Sequence, residues 1–347
     1  MKILPKLSVD YRTLNETVKS PIRHKLLMAG IDLAVFDWLD SFRSAGEIAE
    51  TMGLHPGNTV RFLNALAMIG LIEKKEGMFR NLPETASFLK TNSPTYFGPL
   101  LRLIQSMCLD SLNDLVERVK SGPCPATEGD DFASEELWAD ATRASAAWVT
   151  GGVGEQMAAI VSDLPEFTGF RRMLDLGGGH GMFTLYFVAA HPTMTGVVFD
   201  RPAVAAVAET FIRQYEMQDR VSTMTGDYLK DDIGEGYDLV WACSTLNFAR
   251  HDLDSLIRKI HGALNPGGVF IAFQDGLTDE QTRPDIMLGH LGEAMRIGKD
   301  LFFEQGEIAD SMLRCGFRSV RSRTLLTPMG LMDMDIARKI HQIEARY

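Results

Sequence analysis

The sequence predicts an α/β protein in which a doubly wound, mostly parallel sheet follows a mainly α-helical N-terminal region. From Arg171 onward, short apolar runs alternate with segments of helical periodicity, as in a parallel sheet covered by helices on both faces. Before about residue 120, apolar residues recur at helical spacing instead. The 347 residues suit two domains, which we place at residues 1–125 and 126–347.

The composition is that of an acidic globular protein. The net charge of -11 argues against a nucleic-acid partner, because such binding depends on neutralising phosphates. No apolar run reaches the roughly 18 residues of a membrane-spanning helix, and the first residues contain no apolar signal core. Four cysteines, Cys108, Cys124, Cys243 and Cys315, lack metal-ligand spacing. We therefore expect free thiols in a cytoplasmic protein with no metal and no membrane contact.

A pattern typical of a winged helix lies in the N-terminal region. Ser44 followed by Glu47 has the spacing of a capping box, and Gly53 ends the helix that they begin. A second helix ends at Gly70, and a short hairpin follows with Gly77 at its turn. Such a unit binds DNA or serves dimerisation and packing. Because the second helix offers a single basic residue, we favour dimerisation.

Five strands are predicted in the second domain, at residues 171–176, 195–200, 221–227, 237–245 and 267–276. Helical segments separate them, and helices and late strands after residue 277 complete the sheet and cover the cleft. In such a sheet, ligands bind at the carboxyl ends of the strands, near the point where the strand order reverses.

The glycines after the first strand indicate a cofactor-binding turn. Bare backbone at Gly177 and Gly179 allows a ligand to approach closely. A dinucleotide fingerprint would need a third glycine where this sequence has Met182. Asp175, just before the turn, would repel a pyrophosphate but attract the sulfonium and ammonium groups of S-adenosyl-L-methionine (SAM). The turn therefore predicts SAM.

The next two strand ends agree with this prediction. Asp200 ends the second strand, where a carboxylate can accept from ribose hydroxyls, and Arg201 after it is a further cofactor candidate. Asp227 ends the third strand and can accept from the adenine amino group, while Tyr228 can stack on the ring. Each aspartate alone could instead cap a helix. Together with Asp175, they favour a cofactor site.

Four segments of the chain resemble the two-domain SAM-dependent methyltransferases of the small-molecule O-methyltransferase family: LDLGGGHG, FDRPAV, GDYL and NPGG. The resemblance covers nearly the whole chain. It implies a Rossmann-like class I methyltransferase domain behind a winged-helix dimerisation domain, a homodimer, and S-adenosyl-L-homocysteine (SAH) as the product. It also implies that Gly177 and Gly179 hold SAM, that Asp175 supports its amino-acid end, and that Cys243 or Ser244 lines the cofactor.

The general base of that family has no counterpart in this sequence. The resemblance implies a histidine after the fourth strand, but alignment from the strand places Asn247 there and alignment from the following helix places Leu246. Neither can act as a general base at neutral pH. His251, a few residues on, is the remaining candidate, or else a surface residue beside Asp252. The supporting acids of the family also lack a clear counterpart.

Loss of the base favours an acceptor that sheds no proton, such as a thioether sulfur. The chain then looks like the methylthiohydroxybutyrate S-methyltransferases of dimethylsulfoniopropionate biosynthesis. Candidate partners for the carboxylate of such an acceptor are Arg143, Arg296 and Lys299. Candidate pocket walls are Trp148, Trp241, Asn247 and Met295. The alternative for the cations is a solvated helix face, and for the two tryptophans and Met295 it is core packing.

Three other functions remain open at this point. The acceptor could be a phenol or a carbon of a pigment-like natural product. The chain could be a winged-helix regulator that senses SAM without catalysis, although its recognition helix is not basic. It could also be a SAM-fold enzyme that carries out another reaction, such as hydroxylation.

Overall fold

The computed structural model describes residues 8–123, 135–298 and 302–340. The chain divides into two compact units, Met1–Arg102 and Leu103–Tyr347. The domain boundary expected at residues 125/126 falls outside the described residues and stays a prediction. Within the described ranges, no helix combines the length and the apolar character needed to cross a membrane.

The first unit is mainly helical and carries a small antiparallel sheet. Its helices are α1 (Arg12–Asp32), α2 (Ala45–Met52), α3 (Pro56–Met68), α4 (Pro83–Phe88) and the start of α5 (Gly98–Ile104). Its strands are β1 (Arg43–Ser44), β2 (Ile72–Lys75) and β3 (Met78–Asn81). They lie in the order β1-β3-β2.

The local signals in this unit act as the sequence predicts. Ser44 Oγ accepts from the Glu47 backbone N–H at 3.2 Å, and Glu47 Oε2 accepts from the Ser44 N–H at 2.7 Å, which confirms the capping box of α2. Gly53 ends α2 in the left-handed conformation. Glu76 and Gly77 both have positive φ, as a two-residue type I′ hairpin between β2 and β3 requires.

The second unit contains the large sheet. Its helices are α6 (Leu115–Ser121), α7 (Glu135–Trp148), α8 (Gly154–Ser162), α9 (Met182–Ala189), α10 (Pro202–Gln214), α11 (Leu253–Ala263), α12 (Leu291–Ile297) and α13 (Glu307–Arg314). Its strands are β4 (Arg172–Leu176), β5 (Thr195–Asp200), β6 (Val221–Thr225), β7 (Tyr237–Cys243), β8 (Leu264–Gln274), β9 (Gly276–Leu277), β10 (Phe303–Glu304), β11 (Ser319–Thr327) and β12 (Gly330–Arg338).

The large sheet has the strand order β11-β12-β8-β7-β4-β5-β6. Strands β4 to β8 pair in parallel, whereas β12 pairs antiparallel with β8 and with β11. The mostly parallel sheet predicted from the sequence is therefore confirmed. The chain runs from β4 outward to β5 and β6 and then returns to β7 and β8, so the strand order reverses between β4 and β7. A crevice at this point is the expected ligand site.

Helices cover both faces of this sheet. Trp241 and Phe273 belong to the same buried cluster as Phe183 of α9, and this side of the sheet is called the α9 face below. Phe270 belongs to a second cluster with Ile257 of α11, which defines the α11 face. Alternate residues of each strand point to opposite faces, so residue parity along a strand decides which face a functional side chain meets.

Candidate active site

The glycine turn joins β4 to α9 at the carboxyl end of the sheet. Gly177 and Gly179 have φ of +62° and +56°, values that side chains rarely adopt. A Cβ at Gly177 would overlap the Thr245 hydroxyl. The Gly178 N–H donates to the Phe199 carbonyl at 3.2 Å, which fastens the turn to the end of β5.

Asp175 supports this turn from beneath. It is 1% exposed and accepts a hydrogen bond from Thr184 Oγ1 at 2.8 Å. A Cβ at Gly178 would lie 2.6 Å from Asp175 Cγ, so the carboxyl packs directly under the turn. Burial raises the pKa of Asp175 to about 7.

Asp200 connects the end of β5 to the turn. Its Oδ2 accepts from the Gly179 N–H at 2.9 Å, and its Oδ1 accepts from the Arg201 N–H at 2.7 Å. Burial raises the pKa of Asp200 although these two hydrogen bonds oppose the shift. The Arg201 guanidinium lies 6.0 Å from the ring centroid of Trp138 in α7.

Asp227 and Tyr228 follow β6 and face the same crevice. Asp227 forms an ion pair with Lys230 at 2.9 Å, and the hydrogen bond from Lys230 is the main reason that the pKa of Asp227 is lowered. Tyr228 is largely buried, and its hydroxyl lies 2.7 Å from Thr245 Oγ1. Burial raises the pKa of the Tyr228 phenol.

The turn after β7 closes the crevice. Ser244 has a positive φ of 49°, and the chain bends away from the sheet here. Cys243 is half-buried, and burial raises the pKa of its thiol. Its Sγ lies 3.9 Å from Ser244 Oγ.

These elements enclose a cavity of about 290 Å³. The cavity-lining residues that the sequence predicts as cofactor-binding are Gly177, Gly179, Asp200, Arg201, Asp227, Tyr228 and Ser244. Sequence reasoning missed further lining residues, namely Trp138, Thr142, Val204, Gly226, Leu229, Thr245 and Phe248. Trp138 and Thr142 lie one turn apart on α7, a spacing that indicates a common helix face but not what that face meets.

The two tryptophans predicted as acceptor walls lie on the α9 face. Trp241 is fully buried, with ring centroids 5.1 Å from Phe183 and 4.9 Å from Phe187. Trp148 is only partly buried and stacks on Phe273 at 6.4 Å. Its buried Nε1 has no hydrogen-bond partner in the described structure. Trp241 is thus placed in the core, whereas Trp148 is only partly buried. The Nε1 atom of Trp241 also lacks a hydrogen-bond partner in the described structure.

Two of the three predicted carboxylate partners, Arg143 and Arg296, are paired with acids of their own helices. Arg143 is exposed and donates to Asp140 Oδ1 at 2.9 Å. Arg296, in α12 beside the half-buried Met295, donates to both carboxylate oxygens of Glu293 at 2.9 and 2.8 Å. Lys299 lies outside the described residues.

A 3₁₀ segment, Leu246–Asp252, occupies the position of the absent histidine. Leu246 is fully buried in the core, which leaves Asn247 as the polar residue of the two alignments. The Asn247 Oδ1 atom is buried and has no hydrogen-bond partner among the residues described. His251 is exposed and lies next to Asp252, which caps α11.

Residues 148–288 match the family model of the O-methyltransferase domain. The tetracenomycin polyketide synthesis 8-O-methyl transferase TcmO of Streptomyces glaucescens is 26% identical over 310 residues, which are 88% of this chain and 90% of that protein. The chain therefore contains an O-methyltransferase domain at residues 148–288. A second relative in the comparison is the N,N-dimethyltransferase OxyT of Streptomyces rimosus, 25% identical over 280 residues, which are 78% of this chain and 80% of that protein.

The crystal structure of human N-acetylserotonin methyltransferase in complex with SAM shares the fold. It aligns with a TM-score of 0.73 and 21% identity, covering 97% of this chain and 100% of that one. With this domain, the chain is a SAM-dependent methyltransferase that acts on a small molecule. Methylation of a thioether gains no support from these relatives.

Proposed function

We propose that this enzyme transfers the methyl group of SAM to a hydroxyl oxygen of a phenolic, polyketide-like small molecule. The observation that carries the proposal is the cavity at the strand-order reversal, where the glycine turn meets the carboxyl ends of β5 and β6. The relative TcmO, which aligns over most of both chains, supports an acceptor of this class.

The groups in the cavity fit SAM. Each oxygen of Asp200 accepts one backbone hydrogen bond and keeps a second lone pair, so the carboxylate can accept from ribose hydroxyls. Asp227 and Tyr228 offer an acceptor and a ring for the adenine, and Gly177 and Gly179 offer bare backbone. When bound, SAM supplies a methyl group on a sulfonium, a good leaving group. The protein holds the acceptor in line with it.

The structure favours a phenol over the thioether acid suggested by the missing histidine. A methylthiohydroxybutyrate-like acceptor carries a carboxylate, and bidentate arginine is its best partner. Arg143 and Arg296 are each already paired with a carboxylate of their own helix. Neither arginine is therefore available to bind the carboxylate of such an acceptor.

Product analysis tests this proposal. The protein is incubated with SAM and a panel containing a polyhydroxylated naphthoquinone, an aromatic amine and methylthiohydroxybutyrate, and the products are identified by mass spectrometry. We expect O-methylation of the quinone. Methylation of the thioether alone would contradict the proposal, and N-methylation alone would move the acceptor to nitrogen. The Asp200→Ala variant, with weakened SAM binding, is the control for background methylation.

We further propose that the first unit forms a homodimer. Leu14, Val18 and Ile22 are 70%, 74% and 59% exposed and, at intervals of four residues, line one face of α1. An apolar stripe of this kind indicates a partner surface. Much of the apolar sequence after Ile22 is used differently, since Met28 and Ile31 pack in the core of the unit. The order α2, α3, β2, β3 supports the winged-helix assignment.

A further inference from the structure

Asp275 follows the last residue of β8, at the carboxyl end of the sheet. Strand β7 is the parallel neighbour of β8, with Cys243 opposite Phe273, and the Ser244 N–H donates to the Phe273 carbonyl at 3.0 Å. Asp275 is two residues beyond Phe273, and neighbouring strands are about 4.8 Å apart. Asp275 therefore lies near the turn formed by Ser244 and Thr245, on the far side of that turn from the cavity of about 290 Å³, which it does not line. It lines a smaller pocket together with Gln274 and Asp333.

The alternation of β8, continued one residue past its end at Gln274, directs Asp275 toward the α9 face of the sheet. Phe273, two residues earlier, belongs to the cluster of that face. Electrostatics supports this placement, because both Asp175 and Asp275 contribute to the raised pKa of the Cys243 thiol, after burial. Strands β4, β7 and β8 are consecutive in the sheet. Asp175 is opposite Trp241 and Cys243 is opposite Phe273. Asp175, Cys243 and Asp275 therefore form a diagonal row that runs toward the carboxyl edge. Asp275 ends this row one strand beyond the predicted cofactor site.

One oxygen of the Asp275 carboxyl group lacks a donor, although the carboxyl also accepts a hydrogen bond from its own backbone N–H. Its Oδ1 atom is buried and has no hydrogen-bond partner within the described ranges. Burial, followed by the charge of Asp333 on β12, raises the pKa of Asp275 to about 6. The Asn247 Oδ1 atom, after β7, and the Oε1 atom of the adjacent Gln274 are orphaned in the same way. Buried acceptors are rarely left without a donor, so the Asp275 Oδ1 atom at this edge of the sheet points to a ligand that carries a hydroxyl group.

We propose that Asp275 is the general base of this enzyme, in place of the absent histidine. The proposal rests on the proposed oxygen acceptor. Asp275 Oδ1 takes the hydroxyl proton while the acceptor oxygen forms its bond to the methyl carbon. The carbon–sulfur bond breaks with its electron pair on sulfur, which yields the neutral thioether of SAH, and the proton then passes from Asp275 to solvent. A base whose pKa lies near the working pH is well suited to this step.

The test compares two acceptors in single turnover, a phenol that is neutral at the assay pH and a nitrophenol that is already ionised. Asp275→Asn should slow the neutral phenol by about a hundred- to ten-thousand-fold and leave the nitrophenolate nearly unchanged. Asp275→Glu should restore part of the rate. The matched control is Asp335→Asn, which removes a buried carboxyl of β12 that accepts from Ser322 Oγ. This control should leave both rates unchanged.

Two further readouts separate a base from a structural residue. Calorimetry should show unchanged SAH affinity in Asp275→Asn but weaker binding of the neutral phenol to the SAH complex. In the wild type, kcat/KM for that phenol should fall below about pH 6, where Asp275 becomes protonated. In Asp275→Asn, this decrease of kcat/KM at acidic pH should be absent. The titratable groups that act on Asp275 or respond to it in the described structure are Asp333 and Cys243.

Equal slowing of both phenols, or of neither, would overturn the assignment of Asp275 while leaving the oxygen acceptor intact. Wild-type turnover of a thioether with no phenol product would instead overturn the proposed function, and the base with it, since a thioether has no proton to remove.

Discussion

The hydroxyl of Tyr228 lies 2.7 Å from Thr245 Oγ1 and 2.9 Å from the Thr245 carbonyl oxygen. These contacts join the loop after β6 to the turn after β7. The two segments form two walls of the cavity, although β4 and β5 lie between β6 and β7 in the sheet. The ring of Tyr228 is therefore held at a fixed position in the cavity before any ligand binds.

Tyr228→Phe should weaken SAM binding by about 0.5–1.5 kcal/mol, the net value of one hydrogen bond, because the ring loses its anchor. Isothermal calorimetry with SAM and SAH measures this loss. Tyr237→Phe is the matched control, since the Tyr237 hydroxyl donates to the Ile233 carbonyl at 2.9 Å outside the cavity lining. That variant should lower thermal stability but keep SAM affinity. Equal affinities in both variants would contradict a cofactor role for Tyr228.

Asp200→Ala should weaken SAM binding by about 1–3 kcal/mol, the scale for hydrogen bonds to a charged group. Asp238→Ala is a close control, because Asp238 Oδ2 also accepts two backbone N–H groups, those of Arg171 and Arg172 at 2.7 and 3.1 Å. These bonds lie at the opposite end of β4. Calorimetry measures the SAM affinity of both folded variants. An unchanged SAM affinity in Asp200→Ala would show that this residue does not belong to the cofactor site.

Asp175 should make the free energy of unfolding depend on pH. Its pKa is raised by burial from 3.8 to about 7, so between these values the folded protein holds a proton that the unfolded chain has released. The stability contributed by this group is therefore present below about pH 4 and is lost as the pH rises to about 7. Relative to wild type, Asp175→Asn should gain stability between pH 5 and pH 8. Denaturant unfolding at both pH values measures the difference, and a constant difference would contradict the shift.

The proposed dimer should depend on the exposed stripe of α1. Leu14→Glu places a charge in that stripe and should produce a monomer at micromolar concentration, because a desolvated charge destabilises an apolar interface. Leu313→Glu makes the same change at an exposed leucine of α13 and should leave the dimer intact. Light scattering gives the mass of each species. A wild-type monomer, or equal effects of the two variants, would count against this interface.

The sheet was predictable because its local signals agree with its tertiary role. The apolar run that ends at Asp200 was expected at residues 195–200, and β5 is Thr195–Asp200. The acidic lining of the cavity was predictable for the same reason, since Asp200 and Asp227 lie at strand ends. The aromatic lining of the cavity was not predictable in this way. Trp138 of α7 meets the cavity only through tertiary packing, and the apolar pattern could not tell that Trp241 is fully buried. The sequence does not identify Asp275 as a functional residue, because Asp275 belongs to no motif.

The residues at the position of the missing histidine allow one more prediction. If the proton leaves through Asp275, neither Asn247 nor His251 acts as a base. Asn247→Ala should then cost about tenfold in the single-turnover rate, or about 1.4 kcal/mol, because a buried amide beside the acceptor is lost. His251 is exposed, so His251→Ala should change the rate by less than about threefold, or about 0.7 kcal/mol. Quenched single-turnover reactions with saturating SAM and phenol measure the rates of both variants. A loss of about a thousandfold in His251→Ala with SAM affinity intact, on the scale of a removed general base, would show that His251 moves into the site during turnover. In that event Asp275→Asn should leave the pH profile unchanged, so the two variants measured side by side assign the base to one residue or the other.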